Sequence, residues 1–384
     1  IIVMHSVKLE TVTPLFLGGS NPRGEPELRA PSFRGVMRFW LRALLGGVLG
    51  DNPQKIFEHE SKVFGSTQFA SPVVVRVQHQ KPSSVGYSQI SQNHTGIGYL
   101  FFGARGFRDE PERKAIQNGF KFTCTISLRA GAKDPKTLQA AYASLWLLTH
   151  LGGLGMRSRK GGGNLQVVST NWNEPSLPPL PLQAKTPEQL RKELRDGLTL
   201  LREWAVNNFD GSLNPPFQNP PAFDVLHPNL CSIFVVNQQF SGWAEALNAF
   251  GQAMQQFRNR YNPDYSNVKA VIQGKGQLQP VKRAAFGLPI VFYFRSLNER
   301  ATLEGAEHDR RSSPLLVRVT RLANGECTLV VTLFRSPLLP TGERLQLRRG
   351  ERIIGSSKQP SDDILNEFLN HLQRVSPLLE VTGW

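Results

Sequence analysis

The stretch that decides the fold is DPKTLQAAYASLWLLTHLGGLGMRSRKGGGNLQVVST, residues 134–170. Its first part has the apolar spacing of a helix that ends at Gly152, and residues 164–170 alternate like a strand. Between these elements lie three cations and six glycines: Arg157, Arg159, Lys160, Gly152, Gly153, Gly155, Gly161, Gly162 and Gly163. Because glycine costs backbone order, such a cluster indicates that another backbone, a phosphate or a base comes very close. The cations favour phosphate, and a flexible helix-to-strand turn is the alternative.

The segments before this stretch supply the other elements of a βαββαβ unit. Alternation and β-branched content predict strands at 3–13, 72–78 and 120–130. Residues 32–47 have the spacing of a helix that closes at Gly46 and Gly47. The polar, glycine-rich residues 81–99 are predicted to be a protruding loop. This order of elements indicates a ferredoxin-like (RRM-like) α+β domain over residues 1–172.

Composition narrows the functional classes. With 384 residues, 40% of them hydrophobic, the chain is long enough for two or more domains with cores of their own. The net charge is +15, and arginine outnumbers lysine 30 to 15. The planar guanidinium suits bidentate acceptors, above all the phosphates and base edges of nucleic acid. No apolar run of about 18 residues and no lipidation motif occurs, which argues against a membrane partner.

The N-terminus and the cysteines indicate a cytoplasmic protein. The first residues lack the charged and apolar regions of a signal peptide. Cys124, Cys231 and Cys327 are isolated and odd in number, so we expect core residues and neither a disulfide framework nor a zinc site. No metal and no other cofactor is predicted.

After a proline-rich middle, the second half repeats the α+β plan more loosely. The middle, residues 173–228, contains a predicted helix over 187–209 that begins with a capping box. The elements predicted within residues 229–384 are strands at 230–236, 288–294 and 378–383, a hairpin over 314–334 turned at Asn324 and Gly325, a helix over 241–261 capped by Ser241, and a helix over 362–375 begun by Asp362 and Asp363. Tandem βαββαβ domains with a proline-rich helical insert are therefore the predicted architecture.

One helix face carries an arginine stripe. The helical advance places Arg34, Arg38 and Arg42 on one side, opposite apolar residues such as Met37 and Trp40. The preceding loop brings Arg29 close to the helix N-terminus, where guanidinium groups and free N–H groups make an anion site. A merely solvated basic face is the alternative. We predict that the stripe borders a cleft and is not sealed in the core.

Catalytic motifs are scarce in this sequence. The glycine-rich segment matches neither a Walker A loop nor a dinucleotide fingerprint, and no H-E-x-x-H or G-x-S-x-G motif occurs. His150 lies next to the glycines and is in principle a general base for a metal-independent ribonuclease. Its alternative role is that of a helix C-terminal residue interacting with the dipole. We assign no catalytic residue.

Two runs of sequence resemble a known family. TPLFLGGSNPRGEPELRAPSFRGVMRFWLRALLGG, residues 13–47, and GGLGMRSRKGGGNLQV, residues 152–167, are similar to the RAMP superfamily of CRISPR-associated RNA-binding proteins, and more narrowly to the first subunit of the type III-B Cmr module. KRAAFGLPIVF, residues 282–292, and RRSSPLLVRV, residues 310–319, resemble that subunit's second domain. The loop departs from the expected pattern, because no aromatic residue interrupts Gly161–Gly163, and this disfavours base stacking by the loop itself.

The resemblance implies tandem ferredoxin-like domains and a place in a guide-RNA ribonucleoprotein that destroys foreign RNA. The implied partners are guide RNA, target RNA and other Cmr subunits, especially the neighbouring RAMP backbone subunits, with this subunit near the guide 3′ end and not acting as the nuclease. The residues expected to bind RNA are Arg29, Arg34, Arg38, Arg42, Arg157, Arg159, Lys160, Lys282, Arg283, Arg310 and Arg311, with the six loop glycines allowing close backbone approach.

Three functional hypotheses follow from the sequence. The first is a non-catalytic, RNA-binding subunit of a CRISPR effector complex in antiviral defence. The second is a metal-independent endoribonuclease of the same superfamily that processes guide RNA. The third is a basic scaffold that binds only proteins. Cleavage of repeat RNA in chelator, and the salt dependence of RNA binding, distinguish them.

Overall fold

The computed structural model describes residues 4–107, 109–218, 220–260 and 262–384 and has a mixed α+β architecture. The strands are β1 Met4–Thr11, β2 Val73–Gln78, β3 Ser84–Gly86, β4 Lys114–Ile116, β5 Lys121–Leu128, β6 Leu165–Thr170, β7 Cys231–Val236, β8 Ile290–Phe294, β9 Glu299–Gly305, β10 Leu315–Arg321, β11 Cys327–Phe334, β12 Leu345–Arg349, β13 Arg352–Ser357 and β14 Leu378–Glu380. The helices are α1 Ala30–Leu49, α2 Pro53–Phe64, α3 Tyr87–Ile90, α4 Thr95–Leu100, α5 Pro135–His150, α6 Pro187–Phe209, α7 Trp243–Asn259, α8 Asn262–Ile272 and α9 Asp363–Val375, with 3-10 turns at Phe102–Ala104 and Lys282–Phe286. Val3 and Tyr261, the predicted ends of two elements, lie outside the described residues.

The strands predicted in the first half form one antiparallel sheet in the order β2-β5-β1-β6. The central strand β5 buries Phe122, Cys124 and Ile126 at alternate positions, as the sequence pattern predicts. Helices α1 and α5 pack against this sheet and share its core. Helix α2 was not predicted; Asn52 caps its N-terminus by accepting from the Lys55 amide at 3.1 Å.

Helix α1 differs from its prediction at both ends. It begins at Ala30 and continues through Gly46 and Gly47 to Leu49, so the predicted closure at these glycines is wrong. The glycines serve packing, because a Cβ at Gly47 has no room beside the Leu226 carbonyl oxygen. The amide of Leu226 also donates to the Ala43 carbonyl at 2.9 Å. The proline-rich middle therefore crosses the last turns of α1 in direct contact.

Residues 81–99 do not form the protruding loop that their polarity predicts. They contain β3, α3 and most of α4, and Ile97 is fully buried. Gly96 lies so close to α7 that a Cβ would meet the Asn248 carbonyl, and its amide donates to the Asn248 side chain at 2.8 Å. Glycine in this segment thus permits close packing of helices. The sequence prediction interpreted it instead as a sign of a flexible loop.

The helix predicted in the proline-rich middle is confirmed as α6. Thr186 accepts from the Gln189 amide at 3.3 Å, and the Gln189 side chain accepts from the Lys185 amide at 2.8 Å. One stripe of α6 is fully buried against the first core and consists of Leu190, Leu194, Leu198 and Leu201. Each buried leucine contributes about 1.5–3 kcal/mol, so this helix is an integral part of the first half.

The second half contains an antiparallel sheet in the order β10-β11-β7-β14, with α7 and α9 sharing its core. The predicted hairpin is confirmed, with the Leu322 amide donating to the Glu326 carbonyl at 2.7 Å across the turn. The predicted Ser241 cap is wrong. Gly242 occupies the cap position of α7, and the Ser241 hydroxyl donates instead to Glu245 at 2.6 Å.

A third sheet, in the order β13-β12-β9-β8, was not predicted as a unit and packs on α8. The apolar strand 288–294 belongs to this sheet as β8 and not to the second sheet. The strands β9, β12 and β13 were not predicted from the sequence. Cys124, Cys231 and Cys327 are buried free thiols, as expected. No helix among the described residues is long and apolar enough to span a membrane.

Candidate nucleic-acid interface

The arginine stripe lies along the outer face of α1. Arg34 and Arg42 are exposed, whereas Met37 and Trp40 on the opposite face are buried. Glu60 of α2 lies between two stripe residues: its Oε1 accepts from Arg38 Nε at 2.5 Å, and its Oε2 lies 3.5 Å from Arg42 Nε. One carboxylate therefore balances part of the charge, and the stripe is not sealed in the core, as predicted.

Arg29 lies at the predicted position before α1. It occupies the N-cap, but its side chain makes no capping hydrogen bond. Its guanidinium donates to the Gly18 carbonyl at 3.2 Å and lies 4.0 Å from Glu27. The side chain remains half exposed beside the helix start, where it adds to the positive potential of the free amide groups.

The glycine-rich loop has a fixed shape, contrary to the expectation from its composition. The amides of Lys160 and Gly162 both donate to the Arg157 carbonyl, at 2.8 and 3.0 Å, and Arg157 itself has φ +63°. The amide of Gly163 donates to the Pro14 carbonyl at 2.9 Å. These bonds tie the loop to itself and to the segment after β1, so the flexible-turn alternative is wrong.

The neighbours of the loop glycines are atoms of this protein. At Gly155 and Gly163, φ is positive and a Cβ has no room beside the carbonyls of Phe16 and Leu154. The other four positions also have protein atoms nearby, with the most room at Gly162: Gly152 lies beside Trp40, Gly153 beside Gly162 and Asn164, Gly161 beside Leu247, and Gly162 beside Met156 and Arg157. The small residues thus serve internal packing, a role that the sequence analysis missed. Their approach to RNA stays a prediction.

Arg159 reaches from the loop into an ion-pair network that joins the two halves of the chain. Its Nη2 donates to Asp224 Oδ2 at 2.9 Å, and Arg311 Nη2 donates to Asp224 Oδ1 at 3.1 Å. The Ser336 hydroxyl donates to Oδ1 at 2.5 Å. Burial opposes ionisation of Asp224, but Arg159 and Arg311 outweigh it and hold the pKa of this carboxyl below its usual range.

This network forms the floor of a cleft of about 510 Å³, which we call the Asp224 cleft. It is lined by Phe39, Arg42, Pro53, Ile56, Phe57, Glu60, Arg159, Ala222, Phe223, Asp224 and Arg311. Phe57 is 51% exposed, and the Arg159 guanidinium lies 5.0 Å from the centre of the Phe39 ring. The cleft thus combines aromatic rings with arginines, the groups on which unstacked bases and phosphates are held.

A second cavity of about 270 Å³ shares Arg311 with the Asp224 cleft and extends it into the second half. Arg335 lines this cavity and donates to Asn366 Oδ1 at 2.7 Å. Pro220, from the proline-rich middle, also lines it. The two cavities share Arg311, and residues of the segment 220–224 line both of them.

The other predicted cations lie outside the Asp224 cleft. Lys160 donates to the Ser313 hydroxyl at 3.4 Å, and Arg283 lies 3.4 Å from Asp264. Lys282 and Arg310 are exposed. Of the predicted residues, the structure brings Arg42, Arg159 and Arg311 to one cleft, with Arg34 and Arg38 along the same helix. Arg157, Lys160 and Arg283 do not line this cleft.

His150 is a neutral core residue. It is 2% exposed, stacks on Trp146 with ring centres 4.0 Å apart, and places Nδ1 2.9 Å from the Trp146 carbonyl. Burial lowers the pKa of His150 to about 3, so the ring is neutral, and its contact with the Trp146 carbonyl agrees with the alternative role of a helix C-terminal residue that interacts with the end of the helix. Its burial disfavours a role as general base for an RNA hydroxyl.

One group of metal-capable side chains occurs among the described residues: Glu307, His308 and Glu343. Glu343 accepts from the amides of Glu307 and His308, both at 2.8 Å, and His308 Nδ1 lies 2.8 Å from its other oxygen. These contacts occupy both oxygens of the Glu343 carboxylate, which holds the surface loop at Glu307 and His308 in place. They offer no preformed cation site.

The sequence analysis missed the acidic partners of the interface. Glu60 and Asp224 are nearly fully buried, and they hold Arg38, Arg159 and Arg311 in place. Asp224 lies 65 residues from Arg159 and 87 from Arg311 in sequence, so no local spacing connects them. Asp224 can be identified as the partner of these arginines only from the structure, in which the proline-rich middle packs over the glycine-rich loop.

Comparisons with known proteins give a consistent picture. The sequence profile of the RAMP superfamily matches residues 8–166. The CRISPR system Cmr subunit Cmr1-2 of Pyrococcus furiosus is 35% identical over 173 residues, covering 41% of this chain and 92% of that protein. Subunit Cmr1-1 of the same organism is 25% identical over 340 residues, covering 88% of this chain and 89% of that protein.

Two solved structures share the fold. The crystal structure of apo Cmr1 from Pyrococcus furiosus aligns with a TM-score of 0.65 at 21% identity and covers all of both chains. A chain in a cryo-EM structure of the type III-B Cmr-beta complex bound to cognate target RNA aligns with a TM-score of 0.57 at 14% identity, covering 98% of this chain and 100% of that chain.

Proposed function

The chain belongs to the RAMP superfamily and within it to the Cmr1 family, and from this premise we propose that it is a non-catalytic, RNA-binding subunit of a type III-B CRISPR ribonucleoprotein. It contacts guide RNA, target RNA or both near the guide 3′ end. Its protein partners are other Cmr subunits, especially the neighbouring RAMP backbone subunits, in the cytoplasm. The observation that carries this proposal is the Asp224 cleft, where arginines from both halves meet aromatic rings beside the stripe on α1.

We further propose that both halves are ferredoxin-like domains. The first-half sheet has the strand order β2-β5-β1-β6, and the sheet that contains β7 has the order β10-β11-β7-β14. In both sheets, the strand that comes first in sequence lies between the strands that come third and fourth. This order supports domains over residues 1–172 and 229–384, with 173–228 as an insert. The contacts of α6 with the first core support an insert that belongs to the first domain.

The cleft explains how RNA is held without an aromatic residue in the glycine-rich loop. Arg34 and Arg42 are exposed along α1 and follow the strand's phosphates. Phe57 and Phe223, from two other segments, supply faces on which an unstacked base lies. Arg159 and Arg311 already share Asp224, so they shape the floor of the cleft and contribute less free charge than their number predicts.

Filter binding of a labelled single-stranded RNA across several salt concentrations tests this interface. The variant Arg34→Gln/Arg42→Gln removes two exposed charges. We expect weaker binding and a salt slope smaller by about 0.7 for each phosphate that the variant no longer neutralises. Lys185→Gln/Arg191→Gln removes two exposed charges at the start of α6 and serves as the matched control. An equal loss of affinity in both variants would mean that net charge alone drives binding and would refute the interface.

The endoribonuclease hypothesis predicts cleavage of repeat RNA in chelator. The burial of His150 and its contacts with Trp146 favour the non-catalytic function. A defined cleavage product that His150→Ala abolishes would reverse this assignment. RNA binding that does not change with salt would favour the protein scaffold.

A further inference from the structure

The glycine-rich loop of the first half lies against a strand of the second half. That strand, β10, is at the edge of the sheet β10-β11-β7-β14. Lys160 forms a parallel bridge with Val317, whose amide donates to the Arg159 carbonyl at 3.2 Å. The Val319 amide donates to Asn164 Oδ1 at 2.8 Å. Backbone groups at the edge of the second half's sheet are therefore bound by the loop.

The side chain of Arg318, also on β10, contacts both ends of the loop. Its Nη1 donates to the Gly152 carbonyl at 2.8 Å and to the Leu148 carbonyl at 3.5 Å. Its Nη2 donates to the Leu165 carbonyl at 2.5 Å. Gly152 lies where the chain leaves α5, and Leu165 is the first residue of β6. One guanidinium thus connects the entry and the exit of the loop.

The charge of Arg318 is stabilised by these carbonyl groups. The residue is 2% exposed, and burial lowers its pKa to about 9. No carboxylate of the described residues forms an ion pair with it; its Nε donates to the Thr320 hydroxyl at 3.3 Å. The carbonyl groups at the end of α5 carry the negative end of the helix dipole and have no partner within the helix. Arg318 supplies donors for these groups, and they in turn offset its desolvation.

Asn164 makes a second connection between the same segments. It is fully buried, and its Nδ2 donates to the Gly152 carbonyl at 3.2 Å, the group that also accepts from Arg318. Its backbone amide donates to the Thr13 hydroxyl at 2.9 Å. Because its Oδ1 accepts from Val319, this one side chain bonds to the start of the loop and to β10 at once.

We propose that the second half of the chain sets the shape of the glycine-rich loop, with Arg318 and Asn164 as positioning residues that hold both ends of the loop on β10. They thereby also fix the place of Arg159 in the floor of the Asp224 cleft. The loop opens only together with the edge of β10, so the two behave as one unit of local unfolding. This inference concerns the loop's shape and does not require that the chain binds RNA.

Amide hydrogen exchange of the unchanged full chain tests the shared opening without any substitution. The amides of Gly162 and Gly163 are bonded within the loop and to the segment after β1, and those of Val317 and Val319 are bonded to the loop. We expect all four amides to exchange with the same protection factor, because one opening event exposes them. Fast exchange at Gly162 and Gly163 with protection retained at Val317 and Val319 would overturn the proposal.

Limited trypsin digestion of variants measures how often the loop opens, because cleavage after Arg157, Arg159 or Lys160 tracks the open population. Arg318→Met keeps an aliphatic stem and leaves the carbonyls at both loop ends without their donor. Loop cleavage, followed by mass spectrometry, is expected to become about tenfold to hundredfold faster, the effect of an unpaired buried carbonyl on the opening equilibrium. Arg318→Lys keeps the charge but loses the planar fork, so a smaller acceleration is expected.

Arg202→Met is the matched control, because it separates positioning of the loop from a general loss of stability. Arg202 is 5% exposed and, like Arg318, donates to backbone carbonyls, those of Leu213 and Trp384. We expect no faster cleavage of the loop in this variant. Equal acceleration in both variants, or none in Arg318→Met, would overturn the proposal. If Arg318→Met does not fold, Asn164→Ala provides the same comparison, and the hydrogen exchange of the unchanged chain is decisive by itself.

Discussion

Arg159 and Lys160 are neighbours in sequence, yet they lie in opposite electrostatic surroundings. Arg159 donates to Asp224 at 2.9 Å and to the Ser313 carbonyl at 2.6 Å, and burial lowers its pKa while the Asp224 carboxylate opposes that shift. Lys160 has three cations around it and one hydroxyl as its partner. The basic loop that looks uniform in sequence therefore has a balanced part and an unbalanced part. The paired Arg159 links segments of the fold, whereas Lys160 has no carboxylate partner among the described residues.

The Asp224 network joins three parts of the chain. Arg159 belongs to the first half, Asp224 to the proline-rich middle and Arg311 to the second half. Ser336 adds a further bond from the segment that follows β11. A buried carboxylate shared by two arginines fixes these segments relative to one another, whereas the burial of Lys160 carries an electrostatic cost that no carboxylate of the described residues offsets.

The strongest test of this contrast removes the shared carboxylate. Asp224→Asn leaves Arg159 and Arg311 without an anion, so we expect a loss of about 3 kcal/mol in the free energy of unfolding, measured by urea denaturation at pH 7. Because the pKa of Asp224 is lowered in the folded state, its contribution is present above the unfolded pKa and is lost as pH falls through the folded pKa.

Asp196 provides the control for this substitution. It pairs with Lys192 and Arg195 on the exposed face of α6. Asp196→Asn is expected to change stability by less than about 0.5 kcal/mol. Equal effects at both positions would show that the Asp224 network is no more than a surface ion pair.

A somewhat smaller effect is expected from the loop glycines. Gly163→Ala places a Cβ against the Leu154 carbonyl at a residue with φ +61°, so we expect a loss of about 2–3 kcal/mol in thermal or urea unfolding. Gly342 has φ +85° but open space around it. Gly342→Ala therefore measures backbone strain alone, about 1 kcal/mol. If the two variants lose equal stability, the loop is not packed as described, and its glycines are free to serve RNA alone.

The third prediction concerns the slope of stability against pH that Lys160 contributes, which for one pH unit is smaller than either loss above. The unfolded side chain keeps its proton up to about pH 10.4, whereas the folded one loses it near pH 7, so unfolding takes up a proton between these values. Stability is therefore expected to rise with pH from about 7, by at most about 1.4 kcal/mol per pH unit. The charges of Arg258, Arg157 and Arg159 act in the same direction as burial on the pKa of this ammonium.

Urea unfolding at several pH values, compared between the unchanged chain and Lys160→Met, isolates this contribution. The difference in stability between the two proteins is expected to shrink as pH rises, since both then lack the charge in the folded state. A difference that stays constant with pH would place Lys160 in a balanced environment like that of Arg159 and would remove the contrast between them.

Local patterns in the sequence were sufficient for much of the fold. The strands of the first sheet, α5, α6 with its capping box, and the hairpin at Asn324 and Gly325 all form where predicted, because their apolar spacing and turn residues act over a few positions. The third sheet was not predicted; β12 ends in the adjacent charges Arg348 and Arg349, and β13 contains Gly355, a residue type that is rare in strands. Gly46, Gly47 and Gly96 were misjudged, because a glycine that admits a neighbouring segment looks the same in sequence as one that ends a helix.

The sequence by itself determined the net charge of +15, the arginine excess, the arginine stripe on α1 and the motifs that resemble the RAMP superfamily. Only the tertiary structure decided which of these cations are already neutralised. Asp224 and Glu60 reach their arginines across tens of residues, whereas no carboxylate of the described residues reaches Lys160. The physical reason is that the free energy of a charge depends on its burial and on neighbours within a few ångströms, and the folded chain sets both.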